Sequence, residues 1–276
     1  MNRVGEASSI PRVRRFLALE GDRDLLARWA ETESFSEDPF SALYAVVLEH
    51  SWVNVPQSLA VIRRLRRGDD GQLSPRDRAR LDRLEANVRR MGGELEESVR
   101  LYARADAVFD VRGEMVERAR GALGWIEALL NLGRTPQALD LARRMLRRLP
   151  ADETLLRAKL EYNRAICLHH AVGWEDARRS YLRVLEIVRR SGVPELLMPP
   201  LFGLGMIHRE MGEPDEARRY YGELLRLGER TGIRRAILGG RMGLNLVEWT
   251  IGDWAEAARR AEEVERGLEE MGDVLT

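Results

Sequence analysis

Apolar residues recur at helical spacing along almost the whole chain of 276 residues. They stand at positions i, i+3, i+4 and i+7, whereas the strict alternation that marks a strand is scarce. The ten prolines fall between the apolar segments, and Ser74-Pro75 has the order of an N-cap followed by proline at the first helical position. This pattern predicts that the chain is helical throughout.

A small residue returns at a nearly constant interval and marks an internal repeat. It occupies Ser58, Ser98, Ala138, Ala177, Ala217 and Ala257, with spacings of 40, 40, 39, 40 and 40 residues. Four residues after it stand Ile62, Tyr102, Ala142, Tyr181, Tyr221 and Ala261. Glycine precedes it by five residues in four copies, at Gly93, Gly133, Gly212 and Gly252. Such a period indicates stacked helical units, each too small to be stable alone.

Three of the copies, the third, fifth and sixth, closely resemble a tetratricopeptide repeat, which has a Leu-Gly pair in its first helix, a turn glycine, and a small and an aromatic residue in its second helix. The fifth copy matches at Leu204, Gly205, Gly212, Ala217 and Tyr221, and the third at Trp125, Gly133, Ala138 and Pro150. The first and fourth copies depart from the pattern, with Val53 and Val172 at the glycine position. The unit of 40 residues exceeds the usual length of about 34. It is similar to the long repeats of bacterial signal-sensing regulators and of CHAT-type protease proteins.

The resemblance implies an all-α fold, a right-handed superhelical α-solenoid of antiparallel helix pairs with about 14 helices. Residues 1–38 would form a degenerate N-terminal pair that caps the array, with helices near residues 11–19 and 22–33. Residues 39–276 would form six further pairs in one continuous solenoid. Residues 273–276 resemble a linker into another repeat. We therefore expect either that the chain is cut from a longer protein or that this end docks on a partner, including a second copy of the chain.

The charge balance excludes several classes of partner. The chain carries 45 basic and 45 acidic residues, so no net positive field is available to bind a nucleic acid backbone. The longest apolar stretch, residues 196–207, is too short to span a bilayer, and no secretory signal opens the chain. We expect a cytoplasmic protein that binds neither nucleic acid nor membrane. The pairs Arg143-Arg144 and Arg147-Arg148 are typical of a solvated helix face.

No motif for catalysis or for phosphate binding stands in the sequence. The GLG segment at residues 203–205 lacks the third glycine of a dinucleotide loop, which favours close helix packing instead. Cys167 is the only cysteine and is expected to pack in a core. His169 and His170 point about 100° apart on a helix and cannot easily face one metal ion. The sequence thus predicts no catalytic residue, no metal site and no cofactor.

A tetratricopeptide array lines its concave face with the first helix of each pair, and this resemblance implies a set of peptide-binding residues. They are Arg80, Arg83, Asn87, Arg90, Arg120, Glu127, Asn131, Lys159, Tyr162, Asn163, His169, Phe202, Met206, Arg209, Met242, Leu246 and Trp249. The early members are basic or amides and the late ones are apolar. We expect a bound peptide to place an acidic part over residues 80–120 and an apolar part over residues 202–249. In the competing interpretation, Phe202, Met206 and Leu246 are core, and Met242 and Trp249 meet a further repeat.

Two functions follow from these expectations. The first is a non-catalytic adaptor that binds a protein or peptide segment in the groove of the array. The second is the sensor or regulatory half of a larger signalling protein, such as a transcription regulator or a CHAT-type protease, whose effector domain lies elsewhere. An enzyme would need converging polar groups in a closed pocket, and the sequence offers no such set.

Overall fold

The computed structural model describes residues 3–19, 29, 39–69, 71, 73–171 and 173–272. In these residues it has thirteen α-helices, one short 3-10 helix and no strand, so the predicted all-α fold is confirmed. The helices are α1 (Arg3–Ala18), α2 (Pro39–His50), α3 (Val55–Arg67), α4 (Pro75–Met91), α5 (Leu95–Val111), α6 (Met115–Asn131), α7 (Thr135–Arg148), α8 (Thr154–His170), α9 (Trp174–Ser191), α10 (Met198–Glu210), α11 (Pro214–Thr231), α12 (Arg234–Ile251) and α13 (Trp254–Gly272). The 3-10 helix, Pro194–Leu197, precedes α10.

The chain divides into two compact units, Met1–Leu141 and Ala142–Thr276, with the boundary inside α7. In both units helices follow one another in pairs, and we call the two members of each pair its first and second helix. Helices α2, α4, α6, α8, α10 and α12 are first helices, and the helix after each of them is its second helix.

The recurring small residues occupy equivalent places in all six pairs. Each is buried near the start of a second helix. Each donates its backbone N–H to the carbonyl oxygen four residues earlier, at 2.9–3.1 Å: Ser58 to Asn54, Ser98 to Glu94, Ala138 to Arg134, Ala177 to Gly173, Ala217 to Glu213 and Ala257 to Asp253. This bond closes the first helical turn in every copy. The structure therefore confirms the repeat that the spacing of the small residues predicts.

The connection inside each pair depends on its local sequence. The predicted turn glycines adopt left-handed backbone angles, as at Gly212, where φ is +75°. The first pair has no glycine there. Its second helix instead begins after Asn54, whose side chain accepts a hydrogen bond from the N–H of Gln57 at 2.9 Å. A side-chain cap thus replaces the glycine turn in this copy.

Close packing of tyrosines against glycines joins neighbouring helices in the second unit. The buried ring of Tyr221 on α11 lies against Gly205 of α10 and Gly243 of α12. A Cβ atom at Gly205 would stand 2.6 Å from Cε1 of Tyr221, and one at Gly243 would overlap the ring. The interpretation of the GLG segment as a helix-packing feature is confirmed, because no side chain larger than hydrogen fits beside the ring.

The N-terminal helix differs from its predicted bounds. Helix α1 begins before Pro11 and contains it, although a proline inside a helix removes one backbone hydrogen bond and its ring crowds the preceding turn. The end of α1 is held by the buried Arg64 guanidinium, which donates to the carbonyls of Phe16 and Leu17 at 2.9 and 2.7 Å. The second helix predicted near residues 22–33 lies outside the described residues, apart from Trp29, whose buried ring packs edge-on against Phe16.

Candidate peptide-binding surface

The first helices of the second unit stand side by side. Helix α10 contacts both α8 and α12. Nε2 of His169 lies 2.6 Å from Oε2 of Glu210, which joins the ends of α8 and α10, and Nη1 of Arg209 lies 3.5 Å from Oγ1 of Thr250 on α12. The structure therefore places these three first helices next to one another.

An exposed apolar stripe runs along α12. Met242, Leu246 and Trp249 lie on one face of this helix and are 44%, 40% and 61% exposed, and we call them the α12 stripe. The opposite face carries buried residues such as Leu244 and Val247. The ring of Trp254, at the start of α13, stands edge-on to Trp249 with 4.7 Å between ring centroids. Two indoles thus meet at one end of the stripe.

The predicted apolar residues of the neighbouring helix α10 belong partly to the core. Phe202 and Met206 on α10 are half-buried and pack against the cluster of Tyr221, Leu244 and Val247. This contact fits the competing interpretation of Phe202 and Met206, but Leu246 is not core.

Helix α8 divides its predicted residues in the same way. Asn163 is buried, whereas Lys159 is exposed. The half-buried ring of Tyr162 lies 5.8 Å from that of Tyr181. On this helix Lys159 is the exposed member of the predicted set, and Tyr162 is only partly accessible.

The basic residues predicted in the first unit are engaged within the chain. Arg83 is buried, and its guanidinium donates to Oε2 of Glu117 at 2.7 Å and to the hydroxyl of Tyr44 at 3.2 Å. Arg90 pairs with Glu127 at 2.8 Å. Arg80 donates to Asp77 at 3.2 Å. These carboxylates neutralise most of the positive charge that the sequence pattern suggested.

The remaining predicted residues of the first unit divide between core and surface. Oδ1 of Asn87 accepts a hydrogen bond from the hydroxyl of Tyr102 at 2.6 Å, so this amide is part of the packing. Arg120 and Asn131 are exposed, and Arg120 reaches the second oxygen of Glu117 at 2.7 Å. Sequence reasoning missed Tyr44 and Glu117 as partners of Arg83. The only sequence signal for these two contacts is that Tyr44 and Glu117 each lie about one repeat away from Arg83.

Comparison with known families assigns the repeats. A family model described as Tetratricopeptide repeat matches residues 156–230, which span nearly all of α8 to α11. These residues are tetratricopeptide repeats. No curated protein matches the sequence. The match includes the fourth copy, in which Val172 stands at the glycine position, so the tetratricopeptide repeats of this chain tolerate that departure. The resemblance to long-repeat sensor arrays stays a prediction.

Solved structures with the same fold are distant in sequence. A Rap protein complexed with Competence and Sporulation Factor has a TM-score of 0.68 at 14% identity, covering 98% of this chain and 77% of that one. Aspartyl phosphate phosphatase F from Bacillus subtilis has 0.66 at 16%, with 98% and 75% covered. A signal transduction ATPase with numerous domains (STAND), with a tetratricopeptide repeat sensor, from Pyrococcus horikoshii, has 0.67 at 15%, with 99% and 42% covered. These likenesses establish the tetratricopeptide-like fold.

The candidate reactive groups are the thiol of Cys167 and the side chains that could bind a metal ion. Cys167 is fully buried, and burial raises the pKa of its thiol to about 12. Within the described ranges, no group of three or more His, Cys, Asp or Glu residues is placed to hold a metal ion.

No helix in the part of the chain that the structure describes is long and apolar enough to cross a membrane.

Cys167 is expected to resist thiol reagents while the protein is folded. A thiol with a pKa near 12 has almost no reactive thiolate at neutral pH, and the core excludes the reagent as well. With a chromogenic disulfide reagent at neutral pH, we expect negligible labelling of the native chain and one equivalent after denaturation. Fast labelling of the native protein would contradict this assignment of Cys167 to the core.

Proposed function

We propose that the chain is a non-catalytic protein-interaction module whose second unit binds an apolar peptide segment on the α12 stripe. The observation that carries the proposal is the exposure of Met242, Leu246 and Trp249 on one helix face beside Trp254. Tryptophan is enriched at the energetic centres of protein interfaces, and methionine adapts to irregular partners. A clustered apolar surface of this kind is typical of a binding site.

The neighbouring helix supplies the other side of this surface. Phe202 and Met206 on α10 are half-buried, so each presents part of its apolar surface beside α12. A segment lying across the two helices would bury the α12 stripe and these exposed parts together. The Rap protein complexed with Competence and Sporulation Factor supports the proposal, because a chain of similar fold carries a bound factor.

The structure changes the proposed chemistry of the peptide. An acidic part was expected over residues 80–120, but Arg80, Arg83 and Arg90 each have a carboxylate partner in this chain. We therefore assign recognition to the apolar part of the segment and to the second unit alone.

Selection from a random peptide display library tests this function. Peptides selected on the full chain should be rich in apolar residues. Their affinity should fall by more than about tenfold in the variant Leu246→Ser plus Trp249→Ser, since loss of a central tryptophan contact costs about 2 kcal/mol or more. Fluorescence polarisation with the labelled peptide measures the affinity.

A second variant controls for the loss of exposed apolar area. Leu182→Ser plus Val193→Ser also removes two exposed apolar side chains from the second unit, at positions that are not part of a first helix. It should bind the selected peptides like the parent chain. Equal binding by both variants would contradict the proposed surface. Dimerisation that disappears only in the stripe variant would instead identify a second copy of the chain as the occupant.

A sensor role within a larger signalling protein is our second candidate. It is favoured by the STAND protein, which carries a tetratricopeptide repeat sensor and of which this chain matches 42%. The full open reading frame decides between the candidates. An effector domain in the same reading frame, with an activity that changes when the selected peptide binds, would favour the sensor role.

A further inference from the structure

A cavity lined by arginines opens in the second unit, between α7 and α9 and above α8. Its volume is about 550 Å³. The lining residues are Arg143, Leu146, Arg147, Arg157, Glu161, Arg164, Arg183 and Ile187. Five guanidinium groups and one carboxylate leave this arginine cavity with four uncompensated positive charges, in a chain whose overall net charge is zero.

The arginine cavity lies on the other side of α8 from the proposed peptide surface. Arg157, Glu161 and Arg164 are spaced i, i+4 and i+7 and share one face of this helix. Lys159 and Tyr162 follow Arg157 by two and five residues, which turns them about 200° and 140° away from it. The two surfaces are therefore separate, and a ligand in one need not touch the other.

Three of the arginines contact groups of the chain itself, and one of them, Arg183, lies 3.4 Å from the carboxylate of Glu161. Arg157 donates to the backbone carbonyls of Leu146 and Leu149 at 3.2 and 2.8 Å, which satisfies the C-terminal end of α7 without neutralising the guanidinium. Arg164 pairs with the buried carboxylate of Glu161 at 3.0 Å. These guanidinium groups are thus positioned before any ligand arrives, which lowers the entropic cost of binding to them.

Other donors in the arginine cavity are unused. Arg143 and Arg147 stand one turn apart on α7, are exposed, and have no ion pair or hydrogen bond within the described ranges. The buried Nε of Arg164 also has no hydrogen-bond partner there. A solvated helix face, as the sequence suggested for these arginines, would not place them around a common concave space.

We propose that the arginine cavity binds an oligophosphate group, either free or as the phosphate chain of a nucleotide. The planar guanidinium fork matches phosphate oxygens with two parallel hydrogen bonds. A single phosphate ester carries a charge of only about −1.5 to −2 at neutral pH, so linked phosphates balance the four positive charges better. The walls contributed by Leu146 and Ile187 are aliphatic, and no aromatic ring is among the lining residues to stack on a base. Recognition therefore centres on the phosphates.

Calorimetric titration of the full chain with inorganic triphosphate tests the proposal. At about 0.1 M salt we expect saturable binding that weakens as salt is added. The variant Arg143→Gln plus Arg147→Gln should raise Kd at least about tenfold, because two charge-assisted contacts are lost. These side chains are exposed and have no partner within the described ranges, so the variant is expected to fold normally.

A matched variant controls for net charge. Arg230→Gln plus Arg235→Gln removes two exposed positive charges from the same unit outside the cavity and should leave Kd unchanged. Titration with ATP, in the absence of a divalent cation, distinguishes a free oligophosphate from the phosphate chain of a nucleotide. Equal Kd values for ATP and triphosphate indicate that the phosphate chain alone is bound, whereas tighter binding of ATP indicates added contacts to the nucleoside.

Three results would overturn the proposal. They are the absence of triphosphate binding, an equal loss of affinity in both arginine variants, and binding of a polyglutamate peptide at Arg143 and Arg147 without binding of triphosphate. The last result would assign the arginine cavity to an acidic protein segment. The peptide-surface variant Leu246→Ser plus Trp249→Ser should bind triphosphate normally, so this test succeeds or fails independently of the proposed function.

Discussion

Replacing Arg83 with alanine is expected to lower the free energy of unfolding by about 3–5 kcal/mol. Arg83 is 7% exposed, and its guanidinium donates to Oε2 of Glu117 at 2.7 Å and to the Glu117 backbone carbonyl at 3.1 Å. Its removal leaves a buried carboxylate with its main partner gone. The same change leaves the hydroxyl of Tyr44 without the Arg83 hydrogen bond. Equilibrium urea unfolding followed by circular dichroism measures the loss.

Arg120 provides the control for this variant, because it pairs with the same carboxylate from the surface. Its guanidinium lies 2.7 Å from Oε1 of Glu117, but the side chain is 56% exposed. Solvent screens the pair, so Arg120→Ala should cost less than about 1 kcal/mol. Equal losses in the two variants would show that burial of Arg83 is not what makes its pair with Glu117 strong.

The pH dependence of the Arg83 variant gives a second measurement. Burial by itself would raise the pKa of Glu117, but the charge and hydrogen bond of Arg83 outweigh it and hold that pKa below the ordinary 4.5. A lowered folded-state pKa means that the stabilisation is present above the unfolded-state value and is lost as the pH falls through the folded-state value. The stability difference between the parent and Arg83→Ala should therefore shrink as the pH falls from the ordinary pKa of 4.5 through the lowered folded-state pKa of Glu117. A constant difference would contradict the role given to the Glu117 charge.

Replacing Gly243 with alanine is expected to destabilise the second unit by about 1–3 kcal/mol. Alanine is intrinsically the better helix former by about 1 kcal/mol, so the backbone preference alone predicts the opposite sign. The added Cβ would overlap the ring of Tyr221, which is fully buried and is also closely approached by Gly205. The ring has no free space to move into, and the helices must separate instead. Thermal unfolding measures the change.

Gly222 is the matched control, since it lies inside α11 beside Tyr221 in sequence. A Cβ at Gly222 would meet only the end of the flexible Arg226 side chain, at 3.3 Å. Gly222→Ala is therefore expected to stabilise the unit by up to about 1 kcal/mol. Destabilisation of similar size in both variants would rule out overlap with Tyr221 as the cause.

Much of the fold is readable in the sequence because its signals are local and are repeated six times. Helical periodicity predicts the helices, and the interval between small residues predicts that Ser58 and Ala217 occupy equivalent places. Helix α1 begins earlier than the sequence predicts, because a proline marks the start of a helix only on average. The first and fourth copies lack the usual glycine, yet their helix pairs form because Asn54 caps one and Gly173 precedes the other.

The candidate site was less accessible to sequence reasoning. Arg83 and Arg120 lie on successive first helices and are both predicted to face the groove, yet one is buried and the other exposed. Arg83 contacts Tyr44, which lies 39 residues earlier, and Glu117, and neither residue forms a recognisable sequence motif with it. The apolar residues of α12 posed the same problem, because exposed and buried apolar stripes share one pattern.

The sequence by itself determined that this chain is an all-α array of helix pairs, since each pair repeats the same local signals for helix, turn and close approach. Only the tertiary structure decided which side chains remain available to a partner. It buried Arg83, exposed Trp249, and turned Arg143 and Arg147 towards a common cavity with Arg157. Availability depends on contacts between helices of different pairs and on the direction in which each helix face points, and neither is encoded in the spacing within one repeat.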